Sequence, residues 1–261
     1  MLVKFLAEFV GTMLLILLGD GVVANVTLNK SGMKGAGSIQ ITLAWGLAVM
    51  VPAFIFGAAS GASFNPALTI ALAVDGSVGW NTVPGYIVAQ FAGAFVGACL
   101  VYILFKDQFD ATEDPGAKLG VFSCGPSIPN MPLNFVAEVV ATFVLVFAIK
   151  GIPNTGIVFD ANKAVVADMA LAGVNNGLGK LFVFGIIVSI GMSLGGLTGY
   201  ALNPARDIGP RMAHAVLPIK GKGSSNWPYA IVTLLGPIVG AVLAVLVYKA
   251  LGAAGVWAAV A

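Results

Sequence analysis

Apolar residues along this chain gather into charge-free windows of bilayer length, separated by short polar links. A hydrocarbon core of roughly 30 Å takes about 20 helical residues. The windows predict six spans, at about 3–28, 37–56, 81–105, 133–149, 180–194 and 227–251. The stretch 35–74 holds forty residues without a charge, too many for one crossing. It contains Asn65-Pro66-Ala67, and the same tripeptide returns as Asn203-Pro204-Ala205. Asparagine is a favoured N-cap and proline is favoured at the first helical position. Each tripeptide therefore reads as a helix start inside an apolar region. The helix after Asn65 has only 66–74 before Asp75, about half a crossing. Two half-helices are predicted, 66–74 and about 204–216, reached by returns at 57–64 and 195–202. Irregular backbone at that depth is tolerated only where protein buries it or where it lines a watery cavity. A pore or a binding site between the half-helices follows.

The two halves of the chain match. Ala7-Glu8-Phe9-Val10 with Thr12 corresponds to Ala137-Glu138-Val139-Val140 with Thr142, and Ser60 to Ala67 corresponds to Thr198 to Ala205. With three spans per half, the second half must be inverted relative to the first. The predicted fold class is all-α and membrane-embedded, with six transmembrane helices and two re-entrant half-helices. It forms one domain over 1–261, with repeats at about 1–105 and 133–251. Inverted repeats with broken helices at the midplane are a plan used by transport proteins.

Composition supports the membrane assignment: 59% of residues are apolar and 9% charged, against about 25% charged in soluble domains. The net charge of +2 implies no nucleic-acid partner, and the 34 glycines suit close helix packing in lipid. Residues 1–24 could serve as a cleaved signal, but Glu8 and Asp20 bracket the apolar run, which favours a retained first helix. Lysine and arginine are too evenly divided between the two sides to fix orientation. The two cysteines, Cys99 in an apolar run and Cys124 in a loop, give no disulfide framework. Acidic residues between Asp107 and Asp114 mark a polar loop. The segment 150–179 is a mixed loop in which 164–173 is expected to form a short surface helix.

The candidate chemistry lies around the half-helices. A capping asparagine accepts a backbone N–H through its side-chain oxygen and keeps amide donors to spare. Asn65 and Asn203 would aim those donors at one central point, where each helix N-terminus adds about half a positive charge. Water or a hydroxyl is welcome there, and a cation is not. Arg206 follows the second tripeptide; an intramembrane arginine normally faces an aqueous path. Asp207 is either its partial counter-ion or a loop anchor. Glu8 and Glu138 occupy equivalent places, where free N–H groups of the returns are the obvious donors to them. The carbonyls of Gly61, Ala62, Ser63, Gly199, Tyr200 and Ala201 would then point into the pore as acceptors. The alternative is a proton relay through Glu8 and Glu138 in an ion-coupled transporter. His214 reads as structural or interfacial. With one histidine and no cluster of metal ligands, neither an enzyme nor a metal or cofactor site is expected.

On these residues the chain resembles the major intrinsic protein (aquaporin) family over essentially its whole length. Asp207 after Arg206, Trp45 twenty residues before Asn65, and Gly191 make it similar to the glycerol-facilitator (aquaglyceroporin) branch. The resemblance implies a selectivity filter of Trp45, Gly191, Tyr200 and Arg206. It implies a homotetramer with one pore per subunit, both termini cytoplasmic, in the plasma membrane. It implies passive conduction of glycerol, other small neutral solutes and some water, while ions and protons are excluded. Dihydroxyacetone, urea, hydrogen peroxide and undissociated lactic acid are further expected solutes. Two positions depart from the branch: Tyr200 stands where phenylalanine is usual, and Ser63 where histidine is usual. The segment 150–179 is longer than the family's, as a gate or a surface elaboration.

Overall fold

The computed structural model of the protein describes residues 1–152 and 164–256, the side chains of 164–177 excepted. The gate or surface elaboration expected within 150–179 falls largely on residues 153–163 and on those side chains, outside the described residues.

Ten α-helices and no strands occur among the described residues. They are α1 (Leu2–Thr27), α2 (Ser38–Ser60), α3 (Pro66–Asp75), α4 (Val83–Leu104), α5 (Lys106–Ala111), α6 (Pro115–Phe122), α7 (Met131–Gly151), α8 (Ala164–Thr198), α9 (Pro204–Val216) and α10 (Ala230–Ala253). Six helices are long and apolar enough to cross a bilayer: α1, α2, α4, α7, the Leu178–Thr198 part of α8, and α10 with the short turn before it. α3 and α9 are the two half-helices. Large apolar side chains such as Phe54, Val88, Ile103, Val136 and Leu243 stand exposed on the spans. Lipid, rather than water, is the solvent that tolerates such faces.

Three sequence expectations are corrected. α2 continues through Gly57 to Ser60 and stops only where Gly61 turns left-handed at φ 85°, because nothing in 57–60 forbids helix. The first return is thus only 61–65. The polar stretch 106–122 is not a plain loop but holds α5 and α6, the latter begun by Asp114 accepting from Gly116 N at 2.7 Å. The expected short helix at 164–173 is the beginning of α8, which runs unbroken to Thr198, so the second return is only 199–203 and not 195–202.

α1 packs on α4 and α2, and α7 packs on α10 and α8; α4 also packs on α9, and α10 on α3. Each half-helix is thereby gripped by the last span of the other half. The close approach needs two glycines: a Cβ on Gly93 would come 2.2 Å from Phe9 O, and one on Gly240 2.2 Å from Val139 O. Small residues at crossings are how membrane helices reach such distances.

Candidate functional site

The returns before α3 and α9 are built alike. Gly61, Ala62 and Phe64 have φ of 85°, 55° and 49°, and Gly199, Tyr200 and Leu202 have φ of 82°, 39° and 57°. Four of these residues carry a Cβ, and left-handed backbone then costs on the order of 1–3 kcal/mol each. The compensation comes from two buried carboxylates. Glu8 Oε1 accepts from Ser60 Oγ at 2.6 Å and Ser63 N at 3.1 Å; Oε2 accepts from Phe64 N at 2.7 Å and Gln90 Nε2 at 2.8 Å. Glu138 Oε1 accepts from Thr198 Oγ1 at 2.6 Å and Ala201 N at 2.9 Å, while Oε2 accepts from Leu202 N at 3.1 Å. Charge-assisted bonds are worth about 1.5–3 kcal/mol apiece, enough to hold the strained turns. The N–H groups of Ser63, Phe64, Ala201 and Leu202 are thus turned toward the glutamates. Gly61, Ala62, Ser63, Tyr200 and Ala201 line the central cavity. Gly199 does not; its carbonyl accepts from Cys124 Sγ at 3.2 Å.

Asn65 caps α3, its side-chain oxygen accepting from Ala67 N and Leu68 N, and Asn203 caps α9 by accepting from Ala205 N and Arg206 N. Each amide then reaches across: Asn65 Nδ2 donates to Leu202 O at 2.9 Å and Asn203 Nδ2 to Phe64 O at 2.8 Å. These reciprocal bonds stitch the tips of the half-helices together. An NH2 group has two hydrogens, and the second on each asparagine meets no acceptor among the described residues. Both asparagines line the cavity.

Arg206 is buried, and its guanidinium carbon lies 4.2 Å from the centre of the Trp45 ring, a cation–π arrangement. Its side chain donates no hydrogen bond to the described residues, so its fork of donors is open toward the cavity it lines. Trp45 is itself seated on Gly19, where a Cβ would fall 2.3 Å from the ring. Gly191 stands behind Tyr200 rather than on the cavity wall: a Cβ there would be 2.6 Å from Thr42 Cγ2 and 3.0 Å from Tyr200 Cζ. The space this glycine leaves is filled by the tyrosine ring. The Tyr200 hydroxyl turns toward Thr42 without closing a hydrogen bond.

Asp207 anchors loops and does not bond Arg206. It accepts from Cys124 N at 2.7 Å, from Thr233 Oγ1 at 2.8 Å, and from Arg211 at 2.9 and 3.0 Å. Arg211, fully buried, passes the tie on to the carbonyls of Cys124, Ser225 and Asn226. His214 lies under this knot with Nδ1 2.8 Å from Ser225 Oγ and its ring against Phe122. Burial, with Lys222 and Arg211 nearby, pushes its pKa down to about 4. At the opposite mouth Asp75 pairs with Lys150 at 2.6 Å. Burial there pushes the Asp75 carboxyl up, but the hydrogen bonds from Lys150 and Ser77 outweigh it and hold it below its ordinary value.

One cavity of about 170 Å³ joins these parts. It runs from Trp45, Tyr200 and Arg206 past Asn203 and Asn65 to Leu72, Ile149 and Lys180. Its lining combines aliphatic side chains with residues of both returns and the two asparagines. Among the described residues no group of three His, Cys, Asp or Glu side chains is placed to hold a metal. Sequence reasoning passed over Gln90, Arg211, Lys180 and Asp20. Asp20 is fully buried in α1, in the field of Arg206 and Asp207, and neither carboxylate oxygen finds a hydrogen-bond partner among the described residues. Its only sequence signal was a charge inside an apolar window.

Residues 1–248 match the family described as Major intrinsic protein. The chain is 50% identical over 245 residues to a "Probable glycerol uptake facilitator protein" of Thermotoga maritima, covering 94% of this chain and 97% of the relative. It is 51% identical over 236 residues to the "Glycerol uptake facilitator protein" of Bacillus subtilis, covering 90% and 80%. Among solved structures, the aquaglyceroporin from Plasmodium falciparum superposes with a TM-score of 0.76 at 30% identity, covering 95% of each chain.

Proposed function

The chain belongs to the major intrinsic protein family, and on that premise we propose that it is a passive channel of the cell membrane for glycerol and other small uncharged solutes, with some water flow. It is a multi-pass membrane protein and a transporter rather than an enzyme. The observation that carries the solute assignment is the mixed lining of the cavity. Glycerol has a hydrocarbon edge and a hydroxyl edge. The aliphatic side chains with Trp45 suit the first; the return carbonyls, the asparagine amides and the open Arg206 fork suit the second. Binding spread thinly over many such sites lets a solute leave as readily as it enters.

In this reading Trp45, Tyr200 and Arg206 form the narrow filter, with Gly191 setting the tyrosine's position from behind. Asn65 and Asn203 hold the solute at the centre. Two half-helix N-termini and Arg206 oppose cations. The two halves are inverted repeats in one channel domain, four copies form the assembly, and the termini lie in the cytoplasm. Glu8 and Glu138 act as structural acceptors. Their oxygens are occupied by loop donors, which leaves little for a proton relay. Dihydroxyacetone, urea, hydrogen peroxide and undissociated lactic acid share the chemistry of a small neutral donor–acceptor and belong to the same solute class.

The test is solute entry into vesicles holding the purified protein, followed by light scattering. Glycerol entry proportional to its gradient, and indifferent to an imposed proton gradient, is expected. Entry that saturates and follows the proton gradient would replace the channel with a coupled carrier.

A further inference from the structure

The cavity carries a second fixed positive charge at the end away from Arg206. Lys180 enters the wall from α8, beside Leu72, Ile149 and Val183. Its ammonium makes no hydrogen bond or ion pair with any described residue. Among the described residues, the other cations at that mouth are engaged or elsewhere. Lys150 is paired with Asp75 at 2.6 Å, and Lys249 donates to Val74 O at 3.3 Å. Lys4 lines a neighbouring cavity with Ser60 and Ser63. Lys180 lies against bare backbone of α2, since a Cβ on Gly57 would fall 3.1 Å from its Cε and 3.5 Å from its Nζ. Its methylenes cover apolar wall and its charge sits at the opening, the usual posture of a long basic side chain at such a boundary.

We propose that Lys180 is a specificity-determining residue, a charge filter at the mouth opposite Arg206 that repels cations independently of it. The argument is electrostatic. A low-dielectric wall strengthens the field of an unpaired charge, and among the described residues no carboxylate that would cancel it lines this cavity. Arg206 sits beyond both asparagines, so a cation entering from this side meets Lys180 first. The proposal rests on reading the cavity as the conduction path.

The experiment measures potassium leak and glycerol entry on the same vesicles of full-length protein. Arg206→Ala is the background, because the first barrier hides the second. Adding Lys180→Met should raise the leak by about tenfold, Lys180→Glu should raise it further, and Lys180→Arg should leave the leak of the background as it was. A merely structural lysine would not order the variants by charge. Leak in the Met and Glu variants equal to the background would overturn the proposal. Should Arg206→Ala fail to fold in detergent, Arg206→Gln takes its place as the background: a leak that rises from Lys180→Arg through Lys180→Met to Lys180→Glu supports the filter, and a flat series overturns it. Wild-type vesicles that take up no glycerol would instead defeat the reading of the cavity itself.

Discussion

The two half-helices share one scaffold and differ in what they mount on it. Both begin with Asn-Pro-Ala, both follow a left-handed return held by a buried glutamate, and both asparagines cross-bond to the opposite return. Three residues after the asparagine they part: α3 places Leu68 on the cavity wall where α9 places Arg206. Four residues after it, α3 has Thr69, bonded to Gln90 at 2.9 Å, where α9 has Asp207 with its knot of Arg211, Cys124 and Thr233. One geometry thus serves two purposes. In the proposed channel the shared part sets acceptors and donors along the passage, and the divergent part puts a neutral side chain on one half-helix and a charged one on the other. Scaffold and selectivity are separable in this chain, and substitutions at matched positions should separate them.

The scaffold predictions are the largest. Glu8→Ala strips four donors of their acceptor and Glu138→Ala three; buried donors left unmet cost about 1–3 kcal/mol each. Both variants should lose most folded protein in a detergent melt, Glu8→Ala the more. The reverse order would break the equivalence of the two returns. Next comes the divergent fourth position. Asp207→Asn breaks a buried ion pair and should cost about 3–5 kcal/mol, whereas Thr69→Val should cost about 1 kcal/mol. Similar melting losses for the two would show that the knot around Asp207 is incidental.

At the third position, Arg206→Ala should raise cation leak at least about tenfold, while Leu68→Ala should leave it near background. Equal leaks, read as reversal potentials, would deny the division between a charged and a neutral half-helix. The smallest effect concerns pH. His214 has its folded pKa pushed from 6.5 to about 4, so the unfolded chain takes up a proton before the folded one does. Stability from this group is complete above pH 6.5 and falls as pH drops toward 4. The matching position in the other half is Gly76, which cannot titrate. The melting temperature should therefore sink by a few degrees over that window, and His214→Gln should flatten the slope.

Much of this was legible in the sequence because it is written as repetition or as misplaced charge. A doubled Asn-Pro-Ala inside apolar stretches announces half-helices. A glutamate at the same place in each half announces an internal acceptor, since a bilayer offers no other. What escaped depends on chain segments distant in sequence. Arg211 reads as one more basic residue near a helix end until the loops bearing Cys124 and Ser225 arrive around it. Gln90 gains meaning only beside Glu8 and Thr69. Lys180 marks the edge of an apolar window and reads as its boundary, yet it stands on the cavity wall. Gly191 was expected to leave room for solute. That room is taken by the Tyr200 ring, and no sequence pattern records which neighbour fills a glycine's space. The C-terminal ends of α2 and α8 and the start of α8 differ from expectation because a glycine-rich stretch or a single lysine reads as a stop, yet helix continues through both.

The central claim is that solute passes between the half-helices. It is tested most directly by comparing glycerol entry in Leu68→Trp with that in Val88→Trp. Leu68 is on the cavity wall, and Val88 is 69% exposed on the outer face of α4. The account predicts that the first tryptophan cuts glycerol entry at least about tenfold while the second leaves it near wild type. Equal entry through both folded variants would place the path elsewhere.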